Sequence, residues 1–440
     1  MGLIFDQCRI SAHRALAGAA VYVYERAQFL ALDTTFDSLT AVETGGAIQV
    51  EGAASMELRR CTFRNCSTDV AASLVFSSYG GAVFAAVDSS KNIKIDSCLF
   101  TRNVAGRGAA MYMGGGNVSV HNSTFEWNQA QFGSAVYAQG EVRLWLINSN
   151  FTRNGFAVVD IYNASLHGLV FTPPGDRSRG GALALLKVAF QIQVEGCLFD
   201  HNVAKINPQS IMPAGEGGAV FAFSSYLQFK NCTFQDNEAS TSAGALYIEE
   251  CSCGLRFMTF RRNSAGSAGG AIVSSAFFEP TLSIDGGVFE DNYAYDVGGA
   301  IAIYAAHMVW LDLGVRFSRN LATYGGALYL AGPGSELEIN DAHFIENKAV
   351  NITYFLPAGG ALYLPRGTDL KLTDSEFVGN DASAYGAGMA GCSLAYHCVC
   401  TDRTFCMLGV GGAIYSEQAT TDPLLAQRNT FRQNGAGWGE

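Results

Sequence analysis

The sequence predicts an all-β chain: a right-handed parallel β-helix, a pectin-lyase-like solenoid of about 15 coils with three short strands in each. Three observations lead there. A tetrad F-x-x-N recurs from one end to the other. A G-G-A-[ILV] segment, or a close variant, follows most copies. Pairs of apolar residues two apart precede it.

The tetrad occurs at Phe100–Asn103, Phe125–Asn128, Phe151–Asn154, Phe199–Asn202, Phe234–Asn237, Phe260–Asn263, Phe289–Asn292, Phe317–Asn320, Phe344–Asn347, Phe377–Asn380 and Phe431–Asn434. Phe5–Cys8 and Phe63–Cys66 read as degenerate copies with Cys in the Asn place, and Phe36, Phe171 and Phe405 as copies that keep only the ring. Successive Phe positions lie mostly 25 to 29 residues apart. A fixed period of that size marks a repeat architecture in which each copy is one supersecondary unit.

Each element of the repeat follows from its residues. Seven and five positions before the Phe stand apolar residues, such as Ile93 and Ile95, Val118 and Val120, or Leu370 and Leu372. Residues two apart share one face of a strand. Turn formers such as Asp285-Gly286 and Asn340-Asp341 separate this lead strand from the short Phe strand. Phe rings of successive coils stack to fill a narrow core. The Asn at the next corner bonds backbone groups and the Asn of the next coil, forming a ladder through Asn103, Asn128, Asn154, Asn202, Asn237, Asn263, Asn292, Asn320, Asn347, Asn380 and Asn434. The Gly pair allows positive φ and close backbone approach. A second alternating run follows it, as in Leu328 and Leu330.

The unbroken repeat makes residues 1–440 one β-helical domain. Met1–Phe5 is already in repeat register and the last residues stop where another Gly corner is due, so the chain reads as a fragment of a longer solenoid. Insertions at 67–79, 205–216 and 348–358 fall at the same corner, between the Asn and the Gly pair, and should decorate one edge. Residues 386–411 read as a divergent, Cys-rich coil.

Repeats that carry both GGA[ILV] and FxxN resemble those of the polymorphic outer membrane proteins, surface proteins of chlamydiae, and of related repeat proteins. The resemblance covers essentially the whole chain. It implies a cell-surface or secreted repeat scaffold, non-enzymatic, that presents a long face for adhesion or assembly to a surface protein or a glycan, with lateral self-association as a further use.

The formal net charge of −11 and the absence of a basic run exclude a nucleic-acid partner. The one long uncharged window, 70–87, holds several Ser and Gly and overlaps a Gly-pair strand, so it is not read as a membrane span.

Aromatics after the Gly-pair aliphatic (Phe84, Tyr112, Tyr137, Phe221, Tyr247, Tyr329, Tyr363 and Tyr415) should point outward and stack into a stripe. Such a stripe either binds sugar rings or another rod, or serves only to stiffen the sheet, and the second reading is preferred. Register places Cys61, Cys98, Cys197 and Cys232 two before the Phe, as small buried residues. Cys392, His397, Cys398, Cys400 and Cys406 lack a second matched pair and make a weak zinc signature; a local disulfide loop suits them better. No catalytic, metal or cofactor residues are assigned. The alternative is a polysaccharide-binding or -cleaving β-helix, a lyase or glycoside hydrolase, which needs convergent acids. Asp200-His201, Gln235-Asp236 and Glu290-Asp291 occupy the variable places of the tetrad and read as a solvated corner. Sequons begin at Asn65, Asn117, Asn122, Asn150, Asn163, Asn231 and Asn351, none of them a ladder Asn.

Overall fold

The computed structural model describes residues 2–68, 78–156, 177–205, 214–276, 281–304, 308–331, 335–350, 357–364, 368–382, 412–416 and 425–435. The described residues contain strands and turns and no helix. The chain divides into two compact units: Met1–Gln228 with Cys232–Ser240, and Phe229–Asn231 with Thr241–Glu440. Each unit is a stretch of right-handed parallel β-helix.

One winding shows how the residues build it. Asn92–Asp96 is the lead strand, with Ile93 and Ile95 inward. Leu99–Thr101 is the Phe strand, and Met111–His121 runs from the post-glycine strand into the next lead strand. All pair in parallel and in register with equivalent residues: Ile93 with Val118, Phe100 with Phe125, and Val83 with Met111. Between strands the chain turns through a single left-handed residue: Ser97 (φ 56°), Arg102 (φ 55°) and Gly108 (φ 59°). A left-handed non-Gly residue costs about 1–2 kcal/mol. The corners keep their amides in the ladder, which offsets that cost: Ser97 N–H donates to His121 O at 3.0 Å and Arg102 N–H to Glu126 O at 3.1 Å.

The Gly pair has two separate jobs. Gly325 sits at φ +62°, and a Cβ on Gly326 would lie 2.2 Å from Gly360 O. The first glycine is needed for conformation and the second for the close approach of the next winding.

The Phe rings form continuous stacks. In the first unit Phe36, Phe63, Phe100, Phe125, Phe151, Phe199 and Phe234 lie 4.4–4.9 Å apart, ring centre to ring centre. In the second unit Phe260, Phe289, Phe317, Phe344, Phe377 and Phe431 lie 4.6–4.9 Å apart. Each buried ring contributes about 1.5–3 kcal/mol of apolar burial.

Two readings of the repeat need correction. Phe5 does not occupy a Phe place, nor Cys8 an Asn place. Phe5 pairs with Ala31, which pairs with Leu58, so Phe5 belongs to the lead strand. Ile10 pairs with Phe36 and fills the ring position. The Cys8 N–H meets Thr34 Oγ1 at 3.4 Å, two places before that position. The slot asks only for a bulky apolar side chain, and Ile10 keeps the period where Phe5 does not. Phe151 pairs directly with Phe199, and Phe377 with Phe431. Phe171 and Phe405, and the Cys-rich stretch 386–411 with its candidate zinc group, lie outside the described residues.

Candidate functional site

The ladder asparagines are brought together within each unit. In the first, Asn103, Asn128, Asn154 and Asn202 each pass Nδ2 to Oδ1 of the next, ending on Asn237, at 2.9–3.1 Å. In the second, Asn263, Asn292, Asn320, Asn347 and Asn380 do the same, ending on Asn434, at 2.9–3.0 Å. The same Oδ1 also accepts the preceding Asn backbone N–H, as Asn347 does from Asn320 at 3.1 Å. The other Nδ2 hydrogen goes to a Phe carbonyl of the previous winding, as from Asn320 to Phe289 O at 2.9 Å. Each central amide is therefore fully used inside the wall and offers nothing to a ligand. Cys66 takes the Asn place one winding earlier: its N–H donates to Asn103 Oδ1 at 3.0 Å. Burial raises its thiol pKa to about 12. Cys61, Cys98 and Cys197 are buried.

The aromatic column leaves the core side of its strand but is not uniformly open. Phe84, Tyr112, Tyr137 and Phe221 are buried, whereas Tyr247, Tyr329, Tyr363 and Tyr415 are half-buried. Phe84 stacks on Tyr112 at 4.9 Å and 3°, and Tyr112 on Tyr137 at 5.4 Å. Tyr329, Tyr363 and Tyr415 stack at 5.0–5.1 Å. The ring faces are spent on each other, leaving edges and hydroxyls outward. In the first unit the residue preceding the Gly pair adds a cover: Tyr79, Arg107 and Phe132 bridge in parallel, and the Arg107 guanidinium lies 5.5 Å from the Tyr79, Phe132 and Tyr137 rings. Burial raises the Tyr112 hydroxyl pKa to about 12. No local sequence pattern marks that position, because its partners come from neighbouring windings.

The variable places beside the tetrad carry ion pairs between windings. Asp37 receives Arg64 at 2.8 Å and Arg9 at 3.1 Å. Arg64, helped by Ser38 and Arg9, holds that carboxyl below the usual carboxylate range. Glu290 receives Arg319 at 2.5 Å and Arg261 at 2.6 Å and is likewise held low, chiefly by Arg319. At the left-handed corner between lead strand and Phe strand, Arg60 does the same to Asp33, and Arg428 to Asp374. Carboxylates tied to guanidinium groups are kept ionised and are poorly placed to deliver protons near neutrality.

Stacking also gathers Asp200, His201 and Asp236, whose ligand-type atoms lie within 4.8 Å of one another. Asp200 Oδ1 already accepts Gln235 Nε2 at 3.1 Å and lies 2.7 Å from His201 Nδ1.

The middles of the insertions 67–79, 205–216 and 348–358 lie outside the described residues, but their ends do not. Thr68 Oγ1 and Ser78 Oγ, which flank 69–77, are hydrogen-bonded at 2.5 Å. The segments 157–176 and 206–213 depart after the paired strands Gly155–Phe156 and Val203–Ala204. They return into the paired strands Arg177–Arg179 and Ala214–Glu216. In the second unit 351–356 and 383–411 also depart from neighbours, since Lys348 bridges Asp381, and return ahead of the paired Leu362 and Ile414. Among the described residues no helix is long and apolar enough to cross a membrane.

Residues 2–170 match the family model for a right handed beta helix region. The chain is similar to metabotropic glutamate receptor-like protein R of Dictyostelium discoideum, 30% identical over 154 residues, covering 30% of this chain and 10% of that protein. Metabotropic glutamate receptor-like protein P of the same organism is 30% identical over 173 residues, 39% of this chain and 11% of that protein. The chain thus spans about a tenth of the length of these curated relatives.

Proposed function

We propose that this chain is a stretch of a cell-surface or secreted repeat scaffold, built from repeats of the polymorphic outer membrane protein type, that carries out no catalysis. The solenoid is a rigid support, and the segments looped out at its Asn-to-Gly corner form the face that meets a surface protein, a glycan or a second scaffold. The observation that carries this reading is the pairwise departure and return of 157–176 and 206–213 on hydrogen-bonded neighbours. Long segments rooted side by side on rigid strands are how scaffolds build recognition surfaces. The outer carboxylates support the non-catalytic half of the reading, because Asp37 and Glu290 are each engaged by two arginines. The resemblance to segments of receptor-like proteins supports placement on the outside of a cell.

The test uses the purified chain and a variant with 157–176 and 206–213 each replaced by a short Gly-Ser linker. The parent should bind cells of its source saturably and the variant should not, while both leave the viscosity of polyuronate solutions unchanged. A fall in viscosity, or equal binding by both proteins, would sink the proposal.

A second reading, glycan binding along the second unit, is favoured by the half-open tyrosine column of Tyr329, Tyr363 and Tyr415. Its ring edges and hydroxyls suit hydrogen bonding to a polysaccharide better than face-on sugar stacking. Binding on a glycan array that is lost in Tyr363→Ala would support it over the loop-borne face.

A further inference from the structure

Five sequons fall within the described residues, and the winding treats them alike. The middle residue of each points inward: Cys66, Val118, Ser123, Phe151 and Cys232 are all buried. The alternation of the strand then turns the Asn and the hydroxyl residue outward together. The five differ in how open the Asn is. Asn65 is half-buried at its corner. Asn117 is half-buried between Asn92, whose Oδ1 accepts its Nδ2 at 3.4 Å, and Arg143, which donates to its Oδ1 at 3.3 Å. Asn122, Asn150 and Asn231 are exposed.

Their positions suit a bulky attachment. Asn122 and Asn231 occupy the same place in their windings, the left-handed corner between lead strand and Phe strand, with φ of 50° and 52°. Side chains at such a corner point away from the wall. Backbone bonds to the next winding hold both corners: Asn122 N–H donates to Ile147 O at 3.1 Å and Asn231 N–H to Arg256 O at 3.0 Å. The Asn122 side chain gives one Nδ2 hydrogen to Asp96 Oδ1 at 3.2 Å, and the second Nδ2 hydrogen is the one that substitution replaces. Asn150 pairs with Thr124, the hydroxyl residue of the Asn122 sequon, so the first two sites lie on one patch of wall.

We infer that Asn122, Asn150 and Asn231 are N-glycosylation sites. This rests on the extracellular placement proposed above. The donor is an oligosaccharide carried on a lipid pyrophosphate. The glycosidic C1–O bond to the pyrophosphate breaks, a bond from C1 to the Asn Nδ2 forms, and one amide proton leaves with the lipid pyrophosphate. Oxidation states do not change. The hydrophilic chains then cover the lead-to-Phe corner and direct protein contacts to the other corners, including the one that bears the looped segments.

The experiment translates the full chain, fused to a cleavable secretion signal, in the presence of microsomes, so that entry is imposed whatever the native location. Mass shifts removable by an amidase specific for N-glycans should include one at each of these three asparagines. One should disappear in each of Asn122→Gln, Asn150→Gln and Asn231→Gln, and equally in Thr124→Ala, Thr152→Ala and Thr233→Ala. These last substitutions keep every Asn and guard against loss through misfolding. A protease-protected, imported chain without increments at these three residues overturns the inference. The native protein then separates this failure from that of the placement. Recovered outside cells with the three asparagines unmodified, it overturns glycosylation alone; recovered unmodified from the cytosol, it overturns both.

Discussion

Asn320 donates both its Nδ2 and its backbone N–H to Asn347 Oδ1, at 2.9 and 3.1 Å, with no solvent reaching either amide. Two donors on one oxygen, repeated level after level, turn a polar side chain into a structural cross-tie.

Asn320→Ala should therefore cost more than a typical core truncation of its size. It leaves Asn292 Nδ2, Asn292 N–H, Phe289 O and Asn347 Oδ1 each short of a partner. Unsatisfied buried groups cost ~1–3 kcal/mol each, so a loss of at least ~4 kcal/mol in urea denaturation is expected. Asn320→Asp adds a pH signature. Burial among carbonyl oxygens raises the folded carboxyl pKa above the unfolded value near ~3.9. The charge penalty is then absent below that unfolded value and grows as the pH rises through the folded one. Denaturation midpoints measured against pH should diverge from those of the parent on the neutral side.

Cys66→Asn should extend the cross-tie by one level. Asn103 Oδ1 now takes only the Cys66 N–H from that side, and the Cys66 thiol points weakly at Phe36 O, 3.6 Å away. The introduced amide supplies donors for both acceptors. A gain of about 1 kcal/mol is expected by urea denaturation; a loss would show that the first unit does not accept the ladder there.

Gly326→Ala and Ala243→Gly should move stability in opposite directions. At Gly326 a Cβ would lie 2.2 Å from Gly360 O and 2.6 Å from Lys348 N, all backbone that has to shift. A loss above ~2 kcal/mol is expected, on the scale of overpacking. Ala243 holds the first glycine place at φ 58°. Relief of that strain, worth about 1–2 kcal/mol, exceeds the extra chain entropy of glycine at ~0.5–1 kcal/mol. Thermal midpoints of the two variants check both signs.

Glu290→Gln tests the outer ion pairs. The Glu290 carboxyl is held low in the folded chain, first by Arg319 and then by Arg261. Its contribution is thus present above the unfolded carboxylate pKa near ~4.3 and is lost as the pH falls through the folded value. Both arginines are well exposed, so the effect at neutral pH should be small, about 0.5 kcal/mol, and weaker at high salt. Stability curves of parent and variant should meet below that range; a difference that persists in acid would mean that packing and not charge holds the site.

The architecture could be read from the chain because its slots are chemically strict. A core ring, a buried amide with four bonding positions and a backbone contact that excludes Cβ each admit few residues, so Phe317, Asn320 and Gly326 announce themselves. Slots with looser demands were misread. Ile10 satisfies the ring position by bulk alone, and the chance F-x-x-C at Phe5 drew attention from it. Spacing alone misleads at two places. Asn154 and Asn202 are 48 residues apart and Asn380 and Asn434 are 54 apart, close to two periods in each case. An inserted segment of about one period looks like a winding until strand pairing is known. The outer partnerships, Asp37 with Arg9 and Arg64 or Arg107 among three rings, depend on residues ~4.8 Å apart across windings and far apart in the chain. No local pattern encodes them.

Uniform interior slots carry a hazard of their own. A strand that slipped by one whole turn of the coil would find the same ring beneath it and the same amide beside it, so the interior hardly distinguishes correct from displaced assembly. The non-repeating exterior couples do. Arg60 meets Asp33, Arg319 meets Glu290 and Asp291, and Arg428 meets Asp374 only in the native alignment. Weak as they are for holding the protein together, they act as registration marks, and removing several at once should raise the share of misaligned chains on refolding more than it lowers the melting point.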